Sequence, residues 1–178
     1  MAQGNYITVT ARAGAPLPLV RTAAIAAGMT HDPIADKGAG FDPAAAARAV
    51  TSYGHNGALG ARYVAHGADW VELALDYRAD LVGDEETGVL ASGPIIALMD
   101  MATSLATWIR RGHFEPQATL DLRIDYLRAA TPGHTVTGHG ECYRLTRRIA
   151  FVRGTAHDGD AADPIAHVAG TFMMTDAA

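Results

Sequence analysis

The chain has 178 residues, 49% of them hydrophobic and 19% charged, which suits one domain with a well-filled core and leaves little room for two. A net charge of -5 argues against nucleic-acid and anionic-membrane partners, because both reward clustered Lys and Arg. The single cysteine, Cys142, excludes an internal disulfide and a multi-cysteine metal site, and no stretch approaches the ~20 apolar residues of a membrane span.

Residues 1–55 are rich in Ala, Gly and Pro, with breakers too frequent for long elements, and are expected to form an extension of short helices or partly disordered chain. Within it, Asp42-Pro43 ahead of an alanine run predicts a helix with Asp42 as cap and Pro43 in its first turn, ending near Tyr53-Gly54. The apolar patch from Leu17 to Gly28 is interrupted by Arg21 and has no basic flank, a poor signal peptide, so a cytoplasmic location is the expectation. Residues 56–178 form the expected folded domain.

Two strands are predicted at 59–65 and 70–77, the second with Val71, Leu73, Leu75 and Tyr77 on one face. A polar loop over 80–92 precedes one long helix, about Pro94 to Arg110, apolar nearly all round and therefore wrapped by other structure. Ser92 or Gly93 can cap its start, and Arg110-Arg111-Gly112 ends it. Four strands follow at 119–127, 135–145, 148–156 and 165–174, the first alternating through Leu120, Leu122, Ile124 and Tyr126. Two strands, a buried helix and four strands predict an α+β architecture: a curved antiparallel sheet wrapped around one long central helix. Such a sheet leaves an edge strand and an apolar flank uncovered, which isologous pairing closes, so a homodimer is the expected minimum and a tetramer is compatible.

Asp100 is the odd residue of the helix, a carboxylate among Leu98, Met99, Met101 and Ala102. A carboxylate on a buried segment costs several kcal/mol unless it is paired. It either bonds locally to Thr103 or Ser104, or lies on a face opening on solvent, or serves in a cleft as base or nucleophile. Gly88 to Pro94 brings small residues to the helix start, where free N–H groups favour an anion and can act as an oxyanion hole. Cys142, in a strand-like stretch, reads as a small packing residue. The eight histidines are scattered without ligand spacing, so no metal is expected.

The stretch Gly88-Val-Leu-Ala-Ser-Gly-Pro-Ile-Ile-Ala-Leu-Met-Asp100 resembles the signature of the PaaI-like hotdog thioesterases, G-x-x-H-G-G followed by an apolar helix with L-x-D. Thr119 to Gly133 is similar to the family's T-x-x-L-x-I-x-Y-L-R-P-A-x-x-G, and Arg147-Arg148-Ile-Ala-Phe-Val and His167 to Phe172 are similar to its later strands. The match runs over residues 59–174. The resemblance implies a hotdog fold and hydrolysis of an acyl-CoA thioester, with water as second substrate and no separate cofactor, since coenzyme A is part of the substrate. It places the catalytic acid at Asp100, a water-positioning hydroxyl at Thr119 and oxyanion amides at Ser92 and Gly93. Arg128, Arg147 and Arg148 fall where the family holds the nucleotide phosphates, and the site is expected between protomers.

Two positions depart from the pattern. The usual His is Ala91, and an Asn or Gln six residues earlier is Glu85. Glu85 either joins the site, where a second acid raises one carboxyl pKa, or points to solvent within Asp84-Glu-Glu86. The departures admit an alternative, a catalytically silent acyl-CoA-binding subunit. A hydratase or dehydratase would pair a His with the helical acid, and none stands near Ala91. Pocket shape is expected to depend on Met99, Met101, Trp108 and Tyr126.

Overall fold

The computed structural model describes residues 40–175, so most of the expected extension lies outside the described residues. At its end Asp42 accepts hydrogen bonds from the N–H groups of Ala44 and Ala45, and Pro43 occupies the first turn of helix α1 (Pro43–Thr51). A short helix α2 (Gly54–Leu59) leads into the sheet.

Six strands form one antiparallel sheet: β1 (Ala61–His66), β2 (Trp70–Leu75), β5 (Gln117–Tyr126), β6 (Val136–Leu145), β7 (Ile149–His157) and β8 (Ala166–Met174). Their order across the sheet is β1-β2-β6-β7-β8-β5. The expected polar loop is partly ordered: β3 (Val82–Asp84) and β4 (Val89–Leu90) pair as a small hairpin that delivers the chain to the helix.

Helix α3 (Ser92–Arg111) lies on the concave side of the curved sheet, chiefly against β6, β2 and β7. The inner face of β6 reads Val136, Gly138, Gly140 and Cys142, all buried. A Cβ at Gly140 would stand 2.6 Å from the carbonyl carbon of Ala102, so the glycine lets the helix backbone rest directly on the strand. Leu98, Met99, Ala102, Leu105 and Ala106 fill the space between, each at most 1% exposed. Cys142 is fully buried among them, the packing role expected of it, and burial pushes its thiol pKa up. Gly112, in the left-handed region, closes the helix by donating to the carbonyls of Trp108 and Ile109.

Two expectations are corrected. The helix starts two residues earlier than expected, and its cap is Ala91, which offers no side-chain acceptor, rather than Ser92 or Gly93. Strand β5 does not alternate evenly. Thr119 pairs with Phe172 and Asp121 with Thr171, leaving Leu120 as an extra, bulged residue. The bulge switches parity: Gln117 and Thr119 reach the helix before it, Leu122 and Ile124 pack on the core after it, and Leu120 is 55% exposed. Among the described residues strand β5 is also an edge of the sheet, on the side of α3 that the sheet leaves open.

Candidate active site

Asp100 stands on the side of α3 that the sheet leaves open, half-buried, two turns from the helix start. Its Oδ1 accepts a 3.0 Å hydrogen bond from Thr119 Oγ1 on β5. The local alternatives are taken otherwise: Thr103 donates its hydroxyl to the carbonyls of Met99 and Asp100, and Ser104 to that of Met101. The carboxylate therefore faces outward with one positioned hydroxyl. Gln117 anchors the strand beside it, donating to the carbonyl of Ser104 (2.8 Å) and bonding the Thr107 hydroxyl.

The helix start supplies donors. The Ala91 N–H donates to the carbonyl of Leu81 (2.9 Å), and Pro94 has no N–H. From Ile95 onward the helical ladder takes the N–H groups. Ser92 and Gly93 are left, both exposed, and among the described residues no group accepts from their N–H. Among the described residues, nothing beyond its chain neighbours and the helix's own backbone lies within 4 Å of where a Cβ on Gly93 would stand. Two adjacent amides at a helix N-terminus, with the dipole behind them, favour negative charge. Tyr126, at the end of β5, donates its hydroxyl to the carbonyl of Ser92 (3.0 Å).

A cavity of about 340 Å³ opens beside this helix start, lined by Leu90, Ser92, Ile95, Tyr126, Leu127 and Ile165 among others. Its walls are mostly apolar. Met99 and Met101 do not shape it; both are in the core. Trp108 lies near the other end of α3, its indole N–H on the carbonyl of Glu115 and its ring against Phe114.

Glu85 sits exposed in the β3–β4 turn, where Asp84 organises the backbone by accepting from the Glu86 N–H and the Thr87 hydroxyl. Among the described residues no hydrogen bond or ion pair links Glu85 to Asp100 within the protomer. The three arginines do not converge. Arg128 lines the cavity, but its guanidinium holds both carboxylate oxygens of Asp158 (2.9 and 2.6 Å), as well as Asp163. That arginine, with the Thr131 N–H, holds the Asp158 carboxyl far below the usual range against the opposing effect of burial. Arg128 is thereby a strut between the loops at 127–131 and 158–163. Arg147 and Arg148 lie at the opposite end of α3, on the β6–β7 hairpin, lining a polar crevice of about 230 Å³ with Glu115 and Met174. Arg111 ties that hairpin to the helix, donating to the Arg147 carbonyl (2.7 Å) while pairing with Glu115.

Sequence reading missed the Tyr126 hydrogen bond and the Arg128–Asp158 strut. The signal for the first was a tyrosine where the strand calls for an apolar residue, since a phenol whose ring packs on apolar neighbours finds a partner for its hydroxyl. The second pairs residues thirty positions apart, with no local signature.

The chain belongs to the thioesterase superfamily, whose family model matches residues 87–165. It is 38% identical to a Pseudomonas aeruginosa protein of known structure, with a TM-score of 0.69, covering 75% of this chain and 100% of that one. A mutant of the phenylacetic acid degradation protein PaaI from Thermus thermophilus is 28% identical, with a TM-score of 0.58 over 67% of this chain and 96% of that one. A Haemophilus influenzae thioesterase, 21% identical, shares the fold with a TM-score of 0.65 over 72% and 87% of the two chains. No curated protein matches the sequence. The hotdog architecture is thus the family's, and membership supports a thioester hydrolase acting on a small molecule. Among the described residues no helix is long and apolar enough to cross a membrane, and no cluster of three or more His, Cys, Asp or Glu is placed to hold a metal.

Proposed function

We propose that the protein hydrolyses an acyl-CoA thioester at sites shared between two copies of the chain. The observation that carries the reading is the pair of unused N–H groups on Ser92 and Gly93, on the same open helix as the Thr119-held Asp100. Eight residues separate Ser92 from Asp100, about 12 Å along the helix axis. Both groups must lie within about 3 Å of one reacting carbonyl, its oxygen on the amides and its carbon by the acid or its water. A single protomer cannot satisfy both. Two antiparallel copies of α3 do, with Asp100 of one opposite Ser92 of the other.

In that arrangement the thioester oxygen accepts from the Ser92 and Gly93 N–H groups. Asp100 takes a proton from water as the water oxygen bonds the carbonyl carbon, or attacks that carbon itself and the acyl-enzyme is then hydrolysed. Thr119 fixes the carboxylate in either case. Collapse of the tetrahedral species breaks the C–S bond, and the CoA sulfur leaves as thiolate to be protonated. No cofactor is required. Arg147 and Arg148 lie near the end of α3, about 17 Å along the axis from Asp100, within reach of a pantetheine arm and its diphosphate. Arg128, committed to Asp158 and Asp163, contributes less to phosphate binding than its place in the family pattern implies.

The uncovered surface fits a homodimer. Ile96 (41%), Tyr126 (42%), Leu120 and Leu127 (both 55%) are exposed large side chains flanking the candidate groups and the free edge of β5. A tetramer is compatible with the same pairing.

The test is release of free thiol from short, medium, long and aryl acyl-CoAs, with wild type and Asp100→Asn side by side. Turnover that collapses in the mutant supports the reading, and turnover indifferent to it overturns the role of Asp100. Acyl-CoA binding without thiol release transfers the proposal to the silent binding subunit, which the bare cap at Ala91 favours.

A further inference from the structure

The Tyr126 hydroxyl reaches the Ser92 carbonyl at 3.0 Å. That carbonyl and the Gly93 N–H are the two ends of one planar, conjugated peptide unit. A proton donor on the oxygen draws electron density through the amide and makes the N–H a stronger donor, an effect put at roughly 10–30% per bond. The Ser92 carbonyl already accepts from the helical ladder, so the phenol is a second donor brought from another element. Its bond also pins the peptide plane to the end of β5. Among the described residues no side chain caps the helix start, since Ala91 carries no acceptor. Burial pushes the phenol pKa above the usual tyrosine value, so the group stays protonated and donating at neutral pH.

We infer that Tyr126 is a positioning residue for the oxyanion donors: it orients the Ser92–Gly93 peptide and strengthens the Gly93 N–H toward the developing charge on the thioester oxygen. The inference rests on the hydrolase reading above. It assigns the tyrosine more than a place in the cavity wall, since removal of the hydroxyl alone, with the ring kept, then changes the chemical step.

The experiment compares wild type, Tyr126→Phe and Asp100→Asn in two measurements: steady-state thiol release, and the ¹⁵N–¹H chemical shift of the Gly93 amide. Tyr126→Phe is expected to lower kcat about three- to tenfold with KM retained, short of the ~10²–10³ lost when an oxyanion donor is removed outright. Its Gly93 amide proton is expected to move upfield. Where Asp100→Asn is inactive, an unchanged kcat in Tyr126→Phe overturns the inference and leaves the hydrolase reading standing. A change in KM alone also overturns it, by assigning the phenol to substrate contact. Where thiol release is absent or indifferent to Asp100→Asn, the hydrolase reading fails instead. The Gly93 shift then decides: an unmoved amide overturns the hold of Tyr126 on the peptide, and a moved one supports it.

Discussion

Thr119 on the edge strand and Asp100 on the central helix meet through one hydrogen bond, hydroxyl to carboxylate, and the bulge at Leu120 makes that meeting possible. Parity switches at the bulge, so the strand presents a polar residue to the helix at 119 and apolar ones from 122 onward. A hydrogen bond to a charged group is worth about 1.5–3 kcal/mol. Thr119→Val, which keeps the shape and removes the donor, is therefore expected to lower kcat roughly 10- to 100-fold. Thr119→Ser is expected to retain most of the activity. Loss of the donor in Thr119→Val should also lower the thermal midpoint, whereas Thr119→Ser should keep it. Full activity in Thr119→Val would remove the hydroxyl from the mechanism.

Asp158 offers a pH-dependent prediction. Its side chain is 5% exposed and holds Arg128, which depresses its folded-state pKa. The stabilisation is complete above the unfolded aspartate value of about 3.9 and is lost as pH falls from there toward the folded value. Asp158→Asn should cost about 1.5–3 kcal/mol at pH 7, since it takes the charge out of a nearly buried pair and leaves Arg128 with Asp163 as its one carboxylate. The gap to wild type should narrow on acidification below about pH 4. Urea unfolding at pH 7 and pH 3 measures both. A gap of equal size at the two pH values would mean that packing, not charge, accounts for the loss.

The order of elements and the burial of α3 were legible because both follow from periodicity, which the sequence carries locally. Asp100 stood out because a carboxylate contradicts its own helix face. The bulge at Leu120 was not legible: Leu120, Leu122, Ile124 and Tyr126 read as one unbroken face, and only the register against β8 shows the interruption. The cap at Ala91 was hidden for a related reason. Ser92 is the better capping residue, but the Ala91 N–H bonded to the Leu81 carbonyl sets where the helix begins. Arg128 illustrates a third limit, since its place in a family pattern suggested phosphate while its partners, Asp158 and Asp163, are distant in the chain.

Dimer geometry is testable at one residue. If Asp100 of one copy faces Ser92 of the other across a two-fold axis, the midpoint of the two positions, Ile96, faces itself. Ile96 is exposed on the open side of α3, and the chain's only native cysteine is buried. Ile96→Cys is thus expected to form a covalent dimer under mild oxidation, read on a non-reducing gel, while wild type does not. Because a disulfide needs Cα atoms within about 7 Å, failure to cross-link would exclude this pairing of the helices.

The shared site itself is tested by mixing two inactive parents. Gly93→Val puts a side chain beside the donors at a position where a Cβ meets none of the described residues beyond its chain neighbours and the helix's own backbone, so it is expected to fold and pair while shielding the Ser92 and Gly93 N–H groups. Asp100→Asn removes the acid from the opposite contribution. Unfolded together and refolded at equal concentration, half of the dimers carry one chain of each kind. Each such dimer joins the intact Asp100 of one chain to the intact donors of the other at one of its two sites. Activity should therefore return to about a quarter of wild type, the fraction a two-fold dimer with one good site per heterodimer allows. Were each site built within one chain, the mixture would stay as inactive as its parents, and the 12 Å separation of Ser92 and Asp100 would need another explanation.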